Sequence, residues 1–235
     1  MANSYFEFKQ FTIHQEHCAM KVGTDGTLLG AWASAPTGIC RILDVGTGTG
    51  LIALMMAQRF PEAEVVGVDI DGEAVSQATA NAAGSPFAHR IRIVQADIAE
   101  FSVEPFDAII CNPPFFIDSL TCPDSSRTLA RHTASLTYRT LMQSVKRLLK
   151  DDGLFSVVIP VDYRSQLLSE SALADIILSK ECAIKTTPQK APKRCLIEFR
   201  KHPIIHAEST IETLETYPGQ RSEWYQDLTK DFYLK

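Results

Sequence analysis

The sequence predicts an α/β fold built on a mostly parallel sheet, and three features carry the prediction. From Cys40 onward, apolar runs of strand length alternate with stretches of helical periodicity. A glycine-rich turn, Gly46-Thr47-Gly48-Thr49-Gly50, joins the first of those strands to the helix that follows it. Acids stand where the next two strands end, at Asp69 and Asp97, and open α/β sheets bind ligands at that carboxyl edge.

Taken in order, residues 1–23 carry Phe6, Phe8 and Phe11 around Lys9, a pattern that suits a short strand or hairpin packed over the main domain. Residues 27–32 read as a short helix that Thr24 or Asp25 can cap. A buried strand over 41–45 leads through the glycine turn into a helix over 51–60, which Pro61 stops. A second strand, 64–68, ends at Asp69-Ile70-Asp71, and a helix follows over 72–82. The third strand, 90–95, ends at Ala96-Asp97-Ile98, and the fourth, 106–111, delivers Asn112-Pro113-Pro114-Phe115. The polar segment 118–132 is long for a connection and is a candidate substrate loop. Tyr138, Leu141, Met142, Val145, Leu148 and Leu149 recur at helical spacing, and Asp151-Asp152-Gly153 is expected to end that helix. A fifth strand over 154–159, a helix over 160–179 and a hairpin of strands near 181–186 and 194–200 complete a sheet of seven. Residues 222–228 read as a capped terminal helix, with Phe232 and Tyr233 as docking aromatics.

At 235 residues the chain fits one domain with its own core: an extension over 1–35, a central region over 40–200 and an appendage over 201–235. No segment reaches the roughly 18 uninterrupted apolar residues of a membrane span. Residues 1–10 lack the basic and then apolar regions of a signal peptide, so a cytoplasmic location is expected. The six cysteines show no C-x-x-C pairing and read as reduced thiols. His202 and His206 straddle Pro203 without partner ligands, so no metal site is expected. The net charge of −5 argues against non-specific coating of nucleic acid, while leaving room for a local basic face.

The glycines let the backbone turn tightly and approach a ligand without Cβ interference. Asp69 lies 23 residues after Gly46, where a carboxylate accepts hydrogen bonds from a ribose. The spacing is G-x-G-x-G, not the G-x-G-x-x-G of dinucleotide sites, and Asp44 precedes it. Asp44-Val45-Gly46-Thr47-Gly48-Thr49-Gly50 resembles the first motif of Rossmann-like methyltransferases that use S-adenosylmethionine. That resemblance implies a seven-stranded, mostly parallel sheet with helices on both faces and a C-terminal antiparallel hairpin. It also implies that Asp44 and the loop of Gly46, Gly48 and Gly50 serve the methionine part of the cofactor, that Asp69 with Ile70 holds the ribose, and that Asp97 with Ile98 meets the adenine. The alternative reading of Asp97 is a cap for the residues after it.

An Asn-Pro-Pro turn by itself can simply end a strand. On the fourth strand of such a fold, Asn112-Pro113-Pro114-Phe115 resembles the N-P-P-[YF] motif of enzymes that methylate planar amines. The amine's lone pair is delocalised, so both of its hydrogens must be accepted. The resemblance gives that task to the Asn112 side-chain oxygen and the Pro113 carbonyl, with Pro113 and Pro114 fixing the backbone and Phe115 lying against the substrate plane. No general base is evident. These four residues leave adenine and a glutamine side-chain amide equally open.

Phe6-Glu7-Phe8-Lys9-Gln10-Phe11, Met20-Lys21-Val22-Gly23-Thr24-Asp25-Gly26, Ala130-Arg131-His132 and Asp231-Phe232-Tyr233-Leu234-Lys235 extend the resemblance. Together with the acceptor motif they look like the bacterial tRNA1(Val) adenine-N6 methyltransferases, over nearly the whole chain. The resemblance implies methylation of the adenosine beside the anticodon, at position 37, with tRNA as partner and S-adenosylmethionine as donor. It places the segment 20–26, Lys21 included, at the cofactor pocket, although a snorkelling surface lysine explains Lys21 equally well. The competing readings are a release-factor glutamine methyltransferase and a cofactor-binding RNA scaffold without catalysis. The first usually has a larger helical N-terminal domain, and the second does not require Asn112 or the prolines. Basic residues cluster after the acceptor motif and between 185 and 201, where Glu198 is the single acid. They read either as solvated charge or as a phosphate-binding face formed by Arg127, Arg131, Lys190, Lys193 and Arg194.

Overall fold

The computed structural model describes residues 4–16, 21–114 and 136–234. A hairpin of β1 (Tyr5–Glu7) and β2 (Thr12–His14) precedes α1 (Thr24–Trp32). Then β3 (Arg41–Val45), α2 (Leu51–Arg59), β4 (Glu64–Asp69), α3 (Gly72–Ala83), β5 (Ile91–Gln95) and β6 (Phe106–Cys111) follow. Next come α4 (Tyr138–Leu148), β7 (Leu149–Pro160), α5 (Arg164–Leu173), β8 (Ile177–Lys185), β9 (Arg194–Arg200) and β10 (Glu208–Thr213). The pair β11 (Glu215–Tyr217) and β12 (Gln220–Arg221) leads into α6 (Glu223–Thr229).

The large sheet has the order β10-β8-β9-β7-β6-β3-β4-β5. Neighbours from β7 to β5 are parallel, and β9 runs antiparallel to both β7 and β8. This is the expected α/β architecture, with one strand more than the sequence count of seven. The extra strand, β10, lies parallel to β8 at the sheet edge, from Glu208 opposite Lys180 to Thr213 opposite Lys185. Its run Glu-Ser-Thr-Ile-Glu-Thr holds one aliphatic residue and is largely exposed, so it carries no buried-strand pattern.

Alternate residues of the central strands divide between two cores, as a period of two requires. Ile42, Ala108 and Ile110 enter one, together with α1, α2 and the hairpin aromatics. Leu43, Val45, Ile109 and Cys111 enter the other, against the stripe Tyr138, Leu141, Met142, Val145 and Leu148 of α4. Burying each side chain of that stripe contributes roughly 1.5–3 kcal/mol. The four described cysteines, Cys40, Cys111, Cys182 and Cys195, are buried and free, and burial pushes the Cys111 thiol well above its ordinary range.

Four local expectations change. The helix α4 stops at Leu148, and Asp151-Asp152-Gly153 lies in β7, where the partner of Phe106 is Leu149 but that of Ala108 is Leu154. A Cβ on Gly153 would come within 2.7 Å of Leu149 Cδ1, so the glycine serves this irregularity in the strand and not a helix end. The helix read over 160–179 is shorter: a 3-10 turn, Val161–Tyr163, precedes α5, and Asp175 at φ 53° turns the chain into β8. The N-cap of α1 is Gly23, with no side-chain cap from Thr24 or Asp25. The fourth change is the extra edge strand.

The termini meet on the first core. Phe8 stacks on Phe11 and Tyr233, with centroids 4.8 and 5.9 Å apart. Ser222 Oγ caps α6 by accepting from Tyr225 N at 3.1 Å, and the Lys9 backbone N–H donates to the Phe232 carbonyl at 2.8 Å. The aromatic residues expected to dock the terminal helix do so.

Candidate active site

The strands β3, β4, β5 and β6 are mutually parallel, so the residues that follow them converge on one sheet edge. A cavity of about 740 Å³ opens there. Of the residues anticipated from sequence, Lys21, Gly46, Gly48, Asp69, Ile70, Asp97, Ile98, Asn112, Pro113, Pro114 and Arg194 line it. Asp44 and Gly50 lie behind the wall. Lys190 and Lys193 sit on the turn between β8 and β9, outside the lining. Phe115, Arg127, Arg131 and the expected substrate loop fall outside the described residues.

The glycine turn is shaped by three left-handed residues, Gly46 at φ 68°, Gly48 at 54° and Gly50 at 80°, where a side chain is strained. Gly46 N and Thr47 N donate to the Val68 carbonyl at 2.9 and 3.0 Å, tying the turn to β4. Gly48 N donates to Asp69 Oδ2 at 2.9 Å, and Asp69 Oδ1 accepts from Asp71 N at 3.1 Å. The acid at the end of β4 therefore braces the turn as well as lining the cavity. A Cβ built on Gly46 meets no atom within 4 Å, so the turn presents open space to a ligand.

Asp44 is fully buried beneath this turn. Its Oδ2 accepts from Thr47 Oγ1 at 2.7 Å and Ala53 N at 3.1 Å, while its Oδ1 has no partner among the described residues. Burial pushes its pKa up to about 7, against the opposing pull of those two hydrogen bonds. Asp97 Oδ1 accepts from Ala99 N at 2.9 Å, so the capping reading and the cavity position are both present in one residue.

Asn112 extends the end of β6 into the cavity. Its Oδ1 is buried and has no hydrogen-bond partner among the described residues, and its Nδ2 lies 3.8 Å from the position of a Cβ on Gly26. That glycine lets α1 pass between Asn112 and Leu51, because the same Cβ would stand 3.1 Å from Leu51 Cδ2. Asp25 falls in the expected pocket segment 20–26 and lines the wall, whereas sequence reasoning missed Leu136, just before α4, and Thr140 in its first turn. Among the described residues, no three His, Cys, Asp or Glu side chains gather as metal ligands would.

A glycine cradle under open space, acids after two successive strands and an unpartnered amide oxygen after the next define a class, the Rossmann-like methyltransferases. The methyltransferase domain family matches residues 37–222. The fold is shared with a structure described as a predicted O-methyltransferase from Agrobacterium tumefaciens, at TM-score 0.67 and 19% identity, covering 88% of this chain and 96% of that one. A tRNA1(Val) (adenine(37)-N6)-methyltransferase of Parabacteroides distasonis is 47% identical, with 100% of both chains covered. Its namesakes in Bacteroides thetaiotaomicron and Tolumonas auensis are 46% and 40% identical, each over 100% of this chain and 99% of the relative. The chain belongs to the tRNA1(Val) (adenine(37)-N6)-methyltransferase family.

Proposed function

We propose that the chain transfers a methyl group from S-adenosylmethionine to the N6 amine of adenosine 37 in tRNA1(Val). The observation that carries the chemistry is Asn112, which lines the same cavity as the glycine turn and whose Oδ1 is a buried acceptor without a partner among the described residues. Leaving such an acceptor unpaired costs about 1–3 kcal/mol, which an incoming N–H recovers. Family membership supports adenine over a glutamine amide, a choice the acceptor motif leaves open.

The residues present fit the donor. Gly46, with nothing within 4 Å of its would-be Cβ, admits the methionine portion beside the turn, Asp69 is placed for the ribose hydroxyls, and Asp97 with Ile98 for the adenine. When bound, S-adenosylmethionine supplies an electrophilic methyl group on a sulfonium. Asn112 Oδ1 and the Pro113 carbonyl accept the two N6 hydrogens and orient the amine, while the two prolines hold the backbone of that turn rigid. Phe115 stacks on the extruded base, an interaction worth roughly 1–3 kcal/mol. Alignment and exclusion of water carry the rate, with no side chain needed to take the proton before transfer. Lys190 and Lys193, with Arg127 and Arg131, contact tRNA phosphates. No helix among the described residues is long and apolar enough to cross a membrane; a tRNA substrate supports a cytoplasmic location.

The test uses labelled S-adenosylmethionine and tRNA1(Val) transcripts. Label is expected in N6-methyladenosine at position 37, and replacing that adenosine by guanosine should remove it. Label in release factor and none in tRNA would sink the adenine reading.

A further inference from the structure

The cavity wall formed by residues 21–26 comes from outside the sheet and spans its cofactor and acceptor ends. At one end Gln15 Oε1 accepts from Val22 N at 2.8 Å. At the other, Arg194 Nε donates to Asp25 Oδ2 at 2.7 Å, across 169 residues of sequence. Arg194 is the first residue of β9, opposite Pro160 of β7 and Ile184 of β8. The neighbouring backbone is fixed by Lys193 N donating to Ile184 O and Val161 N to Lys193 O. One partner of the ion pair is thus part of the sheet, and the other sits in the first turn of α1, whose N-cap supplies no side-chain hydrogen bond.

The next residue in α1 is Gly26, which abuts Asn112 Nδ2 and Leu51, the first residue of α2. A shift in the start of α1 therefore reaches both the amide that receives the amine and the helix that follows the glycine turn. We propose that Asp25 and Arg194 are positioning residues for methyl transfer, an ion-pair clamp that holds the 21–26 wall against Asn112. Their side chains are 24% and 33% exposed, and a pair so placed adds little to global stability. Its contribution is geometric: it selects one placement of α1 relative to the sheet. This proposal rests on the methyltransferase reading and assigns Arg194 a task different from a phosphate contact.

The experiment compares Asp25→Asn, Arg194→Gln, the double variant and the exchange Asp25→Arg/Arg194→Asp in the full chain. Each single variant is expected to lose about tenfold in kcat on tRNA1(Val), the scale of a small misplacement near the reacting groups. The double variant should be no worse than the poorer single one, and the exchange should recover most of the loss. The dissociation constant for S-adenosylmethionine, measured without tRNA, should rise about three- to fivefold in each single variant and no further in the double. Melting temperatures and the salt dependence of tRNA binding should match the parent. Additive losses in the double variant would overturn the clamp. So would a salt slope lowered by about one in Arg194→Gln alone, which marks a phosphate contact. If the parent binds S-adenosylmethionine but methylates no tRNA, the functional reading fails while the cofactor-binding series still decides the clamp.

Discussion

The two ends of the cavity differ in how they satisfy their polar groups. At the cofactor end, Asp69, Asp97 and Asp44 accept hydrogen bonds from Gly48, Asp71, Ala99, Thr47 and Ala53, all close in sequence to the acid except Gly48, which ties the turn after β3 to the end of β4. At the acceptor end, Asn112 Oδ1 has no partner among the described residues, and the wall beside it is assembled from α1, α4 and β9. The difference separates preorganisation from reserve. Local hydrogen bonds hold the cofactor surface in shape before any ligand arrives, whereas the acceptor end keeps a desolvated oxygen for a substrate N–H.

The largest expected effect breaks the two ends apart. Asn112→Ala should lower kcat by about 10³-fold, in the range seen when one transition-state hydrogen-bonding group is removed. Its affinity for S-adenosylmethionine should stay within a few-fold, and its stability should hold because the deleted oxygen has no partner to strand. Asp69→Ala should show the opposite pattern, weakening cofactor binding first, since it also removes the brace on Gly48. Kinetics with both substrates varied, alongside calorimetric cofactor binding, resolve the two patterns. Equal losses of cofactor affinity in both variants would erase the distinction.

Asp44 is the exception at the cofactor end, with one oxygen satisfied twice and the other orphaned. Its pKa in the folded chain is raised from 3.8 to about 7, so between those values the folded state holds a proton that the unfolded state has released. Stability contributed by this site is therefore full below the lower value and falls as pH rises toward the upper one. A cofactor carrying a sulfonium favours the ionised carboxylate and displaces that proton. Affinity for S-adenosylmethionine should rise about tenfold from about pH 6 to about pH 8. Asp44→Asn should flatten the rise. S-adenosylhomocysteine, without the sulfonium charge, should show a shallower one, and identical slopes for the two ligands would remove charge coupling as the cause.

The same division explains what the sequence made legible. The glycine turn, Asp69 and Asn112 each end a strand rich in buried aliphatic residues, and Asp97 follows the half-buried aliphatic run of β5, so local pattern locates them. The Asp25–Arg194 pair joins residues 169 apart, and neither residue type announces a partner at that distance. Edge strand β10 escaped because an exposed strand needs no apolar alternation, and the end of α4 was misread because glycine serves both a helix stop and a strand irregularity. Asn112 was legible as a motif, but its unpartnered oxygen is a property of tertiary packing that no local pattern announces.

The smallest expected effect concerns the surface beyond the acceptor end. Lys190 and Lys193 lie on the turn between β8 and β9, at the sheet edge where Arg194 faces Pro160 and the cavity opens. Net charge on the chain is −5, so attraction for tRNA must come from such local cations and not from the whole surface. Each phosphate contact contributes about one counterion to the salt slope. Lys190→Ala/Lys193→Ala should therefore lower the slope of log affinity against log salt by about 1.5, with only a few-fold loss at moderate salt and an unchanged kcat at saturating tRNA. Filter binding over a salt series measures it. A slope equal to the parent's would move the phosphate contacts away from this turn, leaving Arg194 tied to the clamp and the basic residues of 127–131 as the remaining cations of the proposed face.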